Sequence, residues 1–173
     1  IVWAFGSIVL AVPGAEALDF RAVKALDSAH AFLMSAGPGR LSRVYKTEDG
    51  GSHWSLSYQN ETAAGFFDAI AFWHRLRGVV LADPVDGRIF VATPSEGGAT
   101  WQPVEASRMP PARAGEGAFA ASGTCLITGL SGHAWIATGG TGGGRVFRST
   151  DWGHTWSVAE TPVRHADASS GIF

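Results

Sequence analysis

Six charged side chains in this chain could carry chemistry: Arg21, Asp68, Asp83, Asp86, Arg88 and Glu116. Carboxylates beside arginines can pass protons, hold a polar ligand, or satisfy buried backbone groups and one another. Hydrolysis of an acidic sugar asks for more: an arginine cluster for the substrate carboxylate, a tyrosine with a neighbouring glutamate as nucleophile, and an acid/base aspartate. The chain has two tyrosines, Tyr45 and Tyr58, and neither falls among the six. A ligand-binding ring, for a peptide or a small molecule, is a better expectation than hydrolysis, and pairing of these charges with buried backbone groups or with one another is favoured over both.

Other chemistries find less support. Asp83-Pro84-Val85-Asp86-Gly87 lacks the oxygen-ligand spacing of a calcium loop and reads as a β-turn. Residues 139–144 (GGTGGG) are not followed by Gly-Lys-Ser/Thr, so a flexible hairpin loop is expected rather than a phosphate cradle. The six histidines show no metal-ligand spacing, and His53 and His154 are expected in surface turns. Cys125, the single cysteine, excludes an intrachain disulfide and a multi-cysteine zinc site, and reads as a small core residue. There is no dinucleotide fingerprint. No metal and no cofactor is expected.

These residues need a scaffold. The chain has 173 residues, 46% hydrophobic and 16% charged, with a formal charge of −2. That balance supports a packed domain and excludes a basic nucleic-acid surface. Residues 1–12 (IVWAFGSIVLAV) resemble the apolar part of a signal peptide, but no positive segment precedes them and they are too short to span a bilayer. They read as one or two buried strands, with no membrane span. The absent initiating Met suggests a piece of a longer chain.

The scaffold is legible in a repeat. Thr47-Glu48-Asp49-Gly50-Gly51-Ser52-His53-Trp54, Pro94-Ser95-Glu96-Gly97-Gly98-Ala99-Thr100-Trp101 and Ser149-Thr150-Asp151-Trp152-Gly153-His154-Thr155-Trp156 share an acid, a glycine and a terminal tryptophan. Thr47, Asp49, Gly51 and Trp54, then Glu96, Gly98 and Trp101, then Ser149, Asp151, Gly153 and Trp156 are the structural positions. Each segment sits between two β-like runs. The acid is expected to accept a backbone N–H two residues on, the glycine to supply positive φ, and the tryptophan to bury itself between neighbouring sheets. Pro94 removes a hydroxyl and an N–H from the second copy, so that turn is expected to be looser. Trp54, Trp101 and Trp156 lie 47 and 55 residues apart, the size of a four-stranded propeller blade. The expected fold is all-β: a partial propeller over residues 1–173, with blades at about 14–60, 61–106 and 115–161 and stubs at both ends. Residues 67–74 (FDAIAFWH) admit a helix, but flanking glycines and aromatic content favour strand. Trp73, Trp135 and Phe147 read as core. A closed ring takes at least about four blades, so further blades or self-association would be needed to close it.

The three segments resemble the Asp-box (BNR) repeats of sialidase-type and related β-propellers. Residues 12–21 (VPGAEALDFR), 65–73 (GFFDAIAFW), 83–90 (DPVDGRIF), 115–125 (GEGAFAASGTC), 146–156 (VFRSTDWGHTW) and 168–173 (ASSGIF) narrow the resemblance to a bacterial branch related to the plant photosystem II stability/assembly factor. One hairpin with its box, expected before residue 12, is missing. The resemblance implies a seven-bladed, exported, non-catalytic scaffold that binds a protein or small ligand through its rim or channel. The alternative is a sialidase-type propeller that binds or hydrolyses a glycan, motivated by Arg21 in Phe20-Arg21-Ala22-Val23. If the chain is an enzyme, a glycosidase is expected rather than an oxidoreductase.

Overall fold

The computed structural model describes residues 12, 14–95, 97–120, 123–163 and 167–172. The strands and the missing hairpin expected ahead of Val12 lie outside the described residues, as does Glu96. Among the described residues no helix is long and apolar enough to cross a membrane.

The chain is all-β, in successive antiparallel sheets. The first contains β1 (Asp19–Ala25), β2 (Ala31–Ala36), β3 (Arg43–Thr47) and β4 (Ser55–Gln59), in the order β1-β2-β3-β4. The second contains β5 (Phe67–His74), β6 (Arg77–Val85), β7 (Arg88–Ser95) and β8 (Thr100–Pro103), again in chain order. Next come β9 (Glu116–Gly117), β10 (Leu126–Thr128), β11 (Ala134–Ala137), β12 (Gly139–Gly140), β13 (Arg145–Ser149) and β14 (Ser157–Glu160). The third sheet has the order β10-β11-β13-β14, and β9 pairs with β12 in a two-stranded ribbon. The glycine loop expected at residues 139–144 is therefore partly strand: Gly139 and Gly140 face Gly117 and Glu116 in register. The ribbon needs glycine, because a Cβ on Gly140, at φ 95°, would meet the Gly115 carbonyl at 2.2 Å.

Side-chain phase decides how the sheets stack. In β1 alternate residues are exposed, whereas the first five residues of β5 are all buried. The second sheet is covered on both faces, which removes the alternation that marks a half-buried strand. Phe67, Ile70, Val80 and Ala92 pack with Phe32, Met34 and Val44 of the first sheet. Ala69, Val79, Leu81, Ile89 and Val91 pack with Leu126, Ile136 and Phe147 of the third. Fully burying a side chain of this size contributes roughly 1.5–3 kcal/mol. Two apolar seams thus hold three sheets face to face. Phe147 lies deep in the second seam, as expected of a core residue. Trp73 and Trp135 are only half-buried.

The first and third turns repeat each other bond for bond. Thr47 Oγ1 donates to Asp49 Oδ1 at 2.8 Å, and Ser149 Oγ to Asp151 Oδ1 at 2.8 Å. The same hydroxyls accept the N–H of Gly51 and Gly153, each at 2.9 Å. Asp49 Oδ1 accepts the His53 N–H and Asp151 Oδ1 the Thr155 N–H, both at 2.9 Å. The expected bond is thereby corrected. The carboxylate takes the N–H four residues on, while the hydroxyl takes the weak two-residue bond, 3.3 Å in both turns. Three backbone N–H groups of each tight turn converge on two oxygen-bearing side chains, which is why the hydroxyl and the acid occur together. The second turn closes differently, with the Ser95 and Thr100 hydroxyls hydrogen-bonded across it.

Two of the three turn tryptophans, Trp101 and Trp156, pack back toward the preceding sheet. Trp101, 5% exposed, stacks on Tyr58 at 5.7 Å between centroids and donates its indole N–H to Ser57 Oγ at 2.9 Å. Trp156, 7% exposed, joins the seam between the second and third sheets. Trp54 departs from the expected burial. It is half-exposed, because no described sheet lies on its side of β4.

Candidate functional site

Three of the six predicted residues come together at the end of the sheets where β1 and β5 begin. Arg21 occupies the register break between Phe20 and Ala22 of β1, and Asp68 the break between Phe67 and Ala69 of β5. Asp83 lies in a third break, between Ala82 and Val85 on β6. A bulge leaves one residue outside the ladder and re-aims its side chain, so one register break in the first sheet and two in the second deliver charges to one place.

Asp68 is 3% exposed, and its Oδ2 has no hydrogen-bond partner among the described residues. Burial, reinforced by the like charge of Asp83 and eased by Arg21, pushes its carboxyl up to about 8. At neutral pH Asp68 is therefore a neutral acid able to donate a hydrogen bond. Asp83 is half-buried and also raised by burial, though the Ala118 N–H bonds its carboxylate. The Arg21 guanidinium lies 5.8 Å from the Phe66 ring centroid and pairs with Asp19 at 2.8 Å. Cys125 is buried nearby; burial raises its thiol, and the charges of Asp68 and Asp83 add to the effect. A cleft of about 470 Å³ opens beside Asp83, lined also by Arg113, Glu116, Gly117, Phe119 and Gly139. A Cβ on Gly117 would stand 2.9 Å from Asp83 Oδ1, so glycine there keeps the carboxylate uncovered.

The other three residues are placed differently. Glu116 is buried in an ion pair with Arg145, accepting from Arg145 Nε at 2.9 Å, Thr138 Oγ1 at 2.6 Å and the Arg113 N–H at 2.8 Å. Burial opposes its charge, but the Arg145 and Thr138 hydrogen bonds outweigh burial and hold it below the usual range. Asp86 and Gly87 form the exposed turn between β6 and β7, both at positive φ. Arg88 donates to the Met109 carbonyl. Arg145 was not among the predicted site residues. It had a signal: in Arg145-Val146-Phe147-Arg148-Ser149 it shares the buried phase with Phe147 and Ser149.

The arrangement supplies a donor (Asp68), an acceptor (Asp83) and a guanidinium (Arg21) on one rim, a set suited to the mixed donors and acceptors of a peptide. Neither tyrosine is hydrogen-bonded to a glutamate among the described residues. Tyr45 is buried and accepts from Arg43 at 3.1 Å. Tyr58 stacks on Phe67, and burial pushes its hydroxyl up to about 12. No group of three or more His, Cys, Asp or Glu side chains is placed to hold a metal among the described residues.

Successive four-stranded antiparallel sheets, stacked face to face with their first strands side by side, are propeller blades; the chain is part of a β-propeller. A solved structure agrees on the fold. The chain is similar to YCF48 bound to a D1 peptide, with a TM-score of 0.56 and 17% identity over 82% of this chain. It is also similar to YCF48 from Cyanidioschyzon merolae, with a TM-score of 0.40 and 20% identity over 87% of this chain. The chain spans 39% of the first of these and 59% of the second. No protein-family model and no curated protein matches the sequence.

Proposed function

We propose that this chain is part of a non-catalytic propeller of the assembly-factor type, and that it binds a segment of a client protein on the face carrying Arg21, Asp68 and Asp83. The observation that carries this reading is the convergence of three bulge residues on one rim, with a buried carboxyl oxygen among them that is unpaired among the described residues. The likeness in fold to YCF48, a photosystem II assembly factor solved with a D1 peptide, supports a protein segment as the ligand. The two turns that repeat bond for bond support the Asp-box reading of the sequence, in which the acids serve the fold and leave the rim to do the binding. A bacterial, exported protein fits the same reading.

Fluorescence anisotropy with a panel of labelled peptides, the D1 peptide included, tests it. A peptide that binds the wild type and loses at least tenfold in affinity with Asp83→Asn and with Arg21→Gln supports the proposal. Binding unaffected by both substitutions overturns the assignment of the face. Turnover of sialosides, abolished by Asp68→Asn, would overturn the non-catalytic reading.

A further inference from the structure

The turn that follows β13 holds Trp152 where the other two hold glycine. Gly50 (φ 71°), Gly97 (φ 66°) and Trp152 (φ 63°) follow the acid position directly, and all three are left-handed. Glycine adopts that conformation freely, whereas a Cβ crowds the backbone carbonyl. The bonds that close the turn run through Ser149, Asp151, Gly153 and Thr155, none through the indole. The turn could be made with glycine, as its counterparts show.

The indole instead walls a cleft of about 400 Å³ between the second and third sheets, lined also by His74, Arg77, Thr93, Ser95 and His154. Its edge meets Trp73 at 5.6 Å between centroids, and Trp73 is pinned by its own Nε1 donating to the His133 carbonyl at 2.6 Å. The Arg77 guanidinium lies over the Trp152 ring, 4.8 Å from its centroid. Arg77 has no carboxylate partner among the described residues, nor has Arg75 on the other side of the exposed Leu76. No described carboxylate lines the cleft. Asp151, next to Trp152, spends both oxygens on Ser149 and Thr155. An arginine fixed on an aromatic face keeps its in-plane N–H groups free for an oxyanion. The cleft is at the β5–β6 hairpin, the opposite end of the sheets from Arg21, Asp68 and Asp83.

We propose that this cleft is a second binding site, which grips a carboxylate side chain of an acidic protein segment through Arg77, with Trp152 as the platform that holds the guanidinium.

Titration of the full chain with an acetylated, amidated hexapeptide of alternating Asp and Ala, followed by tryptophan fluorescence and calorimetry, tests this. Its Asn counterpart and inorganic phosphate at equal ionic strength serve as the other arms. The acidic peptide should bind at least tenfold more tightly than either. Arg77→Gln should weaken it at least tenfold. Trp152→Gly, which restores the residue of the other turns, should keep a Tm near the wild type and lose at least tenfold in affinity. Equal binding of the Asn peptide, equal binding of phosphate, or wild-type affinity in Arg77→Gln overturns the proposal. Should Trp152→Gly fail to fold, the indole is a packing residue and its platform role is overturned, while Arg77→Gln still decides the site.

Discussion

Glu116 and Arg145 form a buried ion pair that ties the β9–β12 ribbon to the third sheet, the Arg145 side chain also reaching the Pro111 carbonyl at 2.9 Å. The two side chains are 0% and 7% exposed, so neither charge can fall back on water. Arg145→Met should therefore destabilise the chain by about 3–5 kcal/mol, because it strands a buried carboxylate. Adding Glu116→Leu should recover part of that loss, since a pair removed whole leaves no orphan charge. Urea unfolding of the single and double variants measures both, and a double variant as unstable as the sum of the singles would contradict the ion-pair reading.

Asp68 sets a pH dependence of the opposite sense to that of an ordinary paired carboxylate. Its folded value, pushed up to about 8 by burial and the neighbouring Asp83, lies above that of the unfolded chain. Its contribution is fully present below about pH 4 and is lost as pH rises toward about 8, with a slope of up to about 1.4 kcal/mol per pH unit. Asp68→Asn should flatten that slope. Thermal unfolding from pH 4 to 9 checks it, and an unchanged slope would place the titration elsewhere.

The first and third turns make a paired prediction. Ser149 is 1% exposed and accepts the N–H groups of Asp151 and Gly153. Ser149→Ala should cost about 1–3 kcal/mol, because buried donors lose their acceptor. Asp49 is held down to about 2, chiefly by the His53 N–H. Its contribution should therefore persist above about pH 4 and disappear as pH falls through about 2. Acid unfolding of Asp49→Asn against the wild type reads this directly.

Trp54 and Trp101 occupy equivalent places with unequal burial. Trp101→Ala should cost about 3–5 kcal/mol, because Trp101 fills the seam between the first two sheets. Trp54→Ala should cost clearly less, since the indole is half-exposed. Chemical denaturation of the two variants gives the ordering, and equal losses would mean that Trp54 packs against something as extensive as the seam between the first two sheets.

Fold class was legible in the amino-acid sequence because its signals are local. An acid, a glycine and a tryptophan within eight residues specify a turn through bonds that span no more than four residues, and the runs on either side are β-like in composition. Even the ambiguous residues 67–74 yielded to their flanking glycines and aromatic side chains; their lost alternation reflects burial on both faces of β5, which no local pattern distinguishes from a helix. The rim was half legible. Arg21, Asp68 and Asp83 could be named as charges near strand ends, but register breaks in three separate strands decide that they meet while Asp86 and Arg88 stay apart. Glu116 could be named too, yet its partner Arg145 lies 29 residues on, and only the pairing of β9 with β12 brings them into contact. Trp152 is the extreme case: its strain is a property of φ, and its cleft exists only where the second and third sheets face each other. Hydrogen-bonded turns are decided by neighbours in sequence, whereas burial, ion pairing and clefts are decided by which sheets stack.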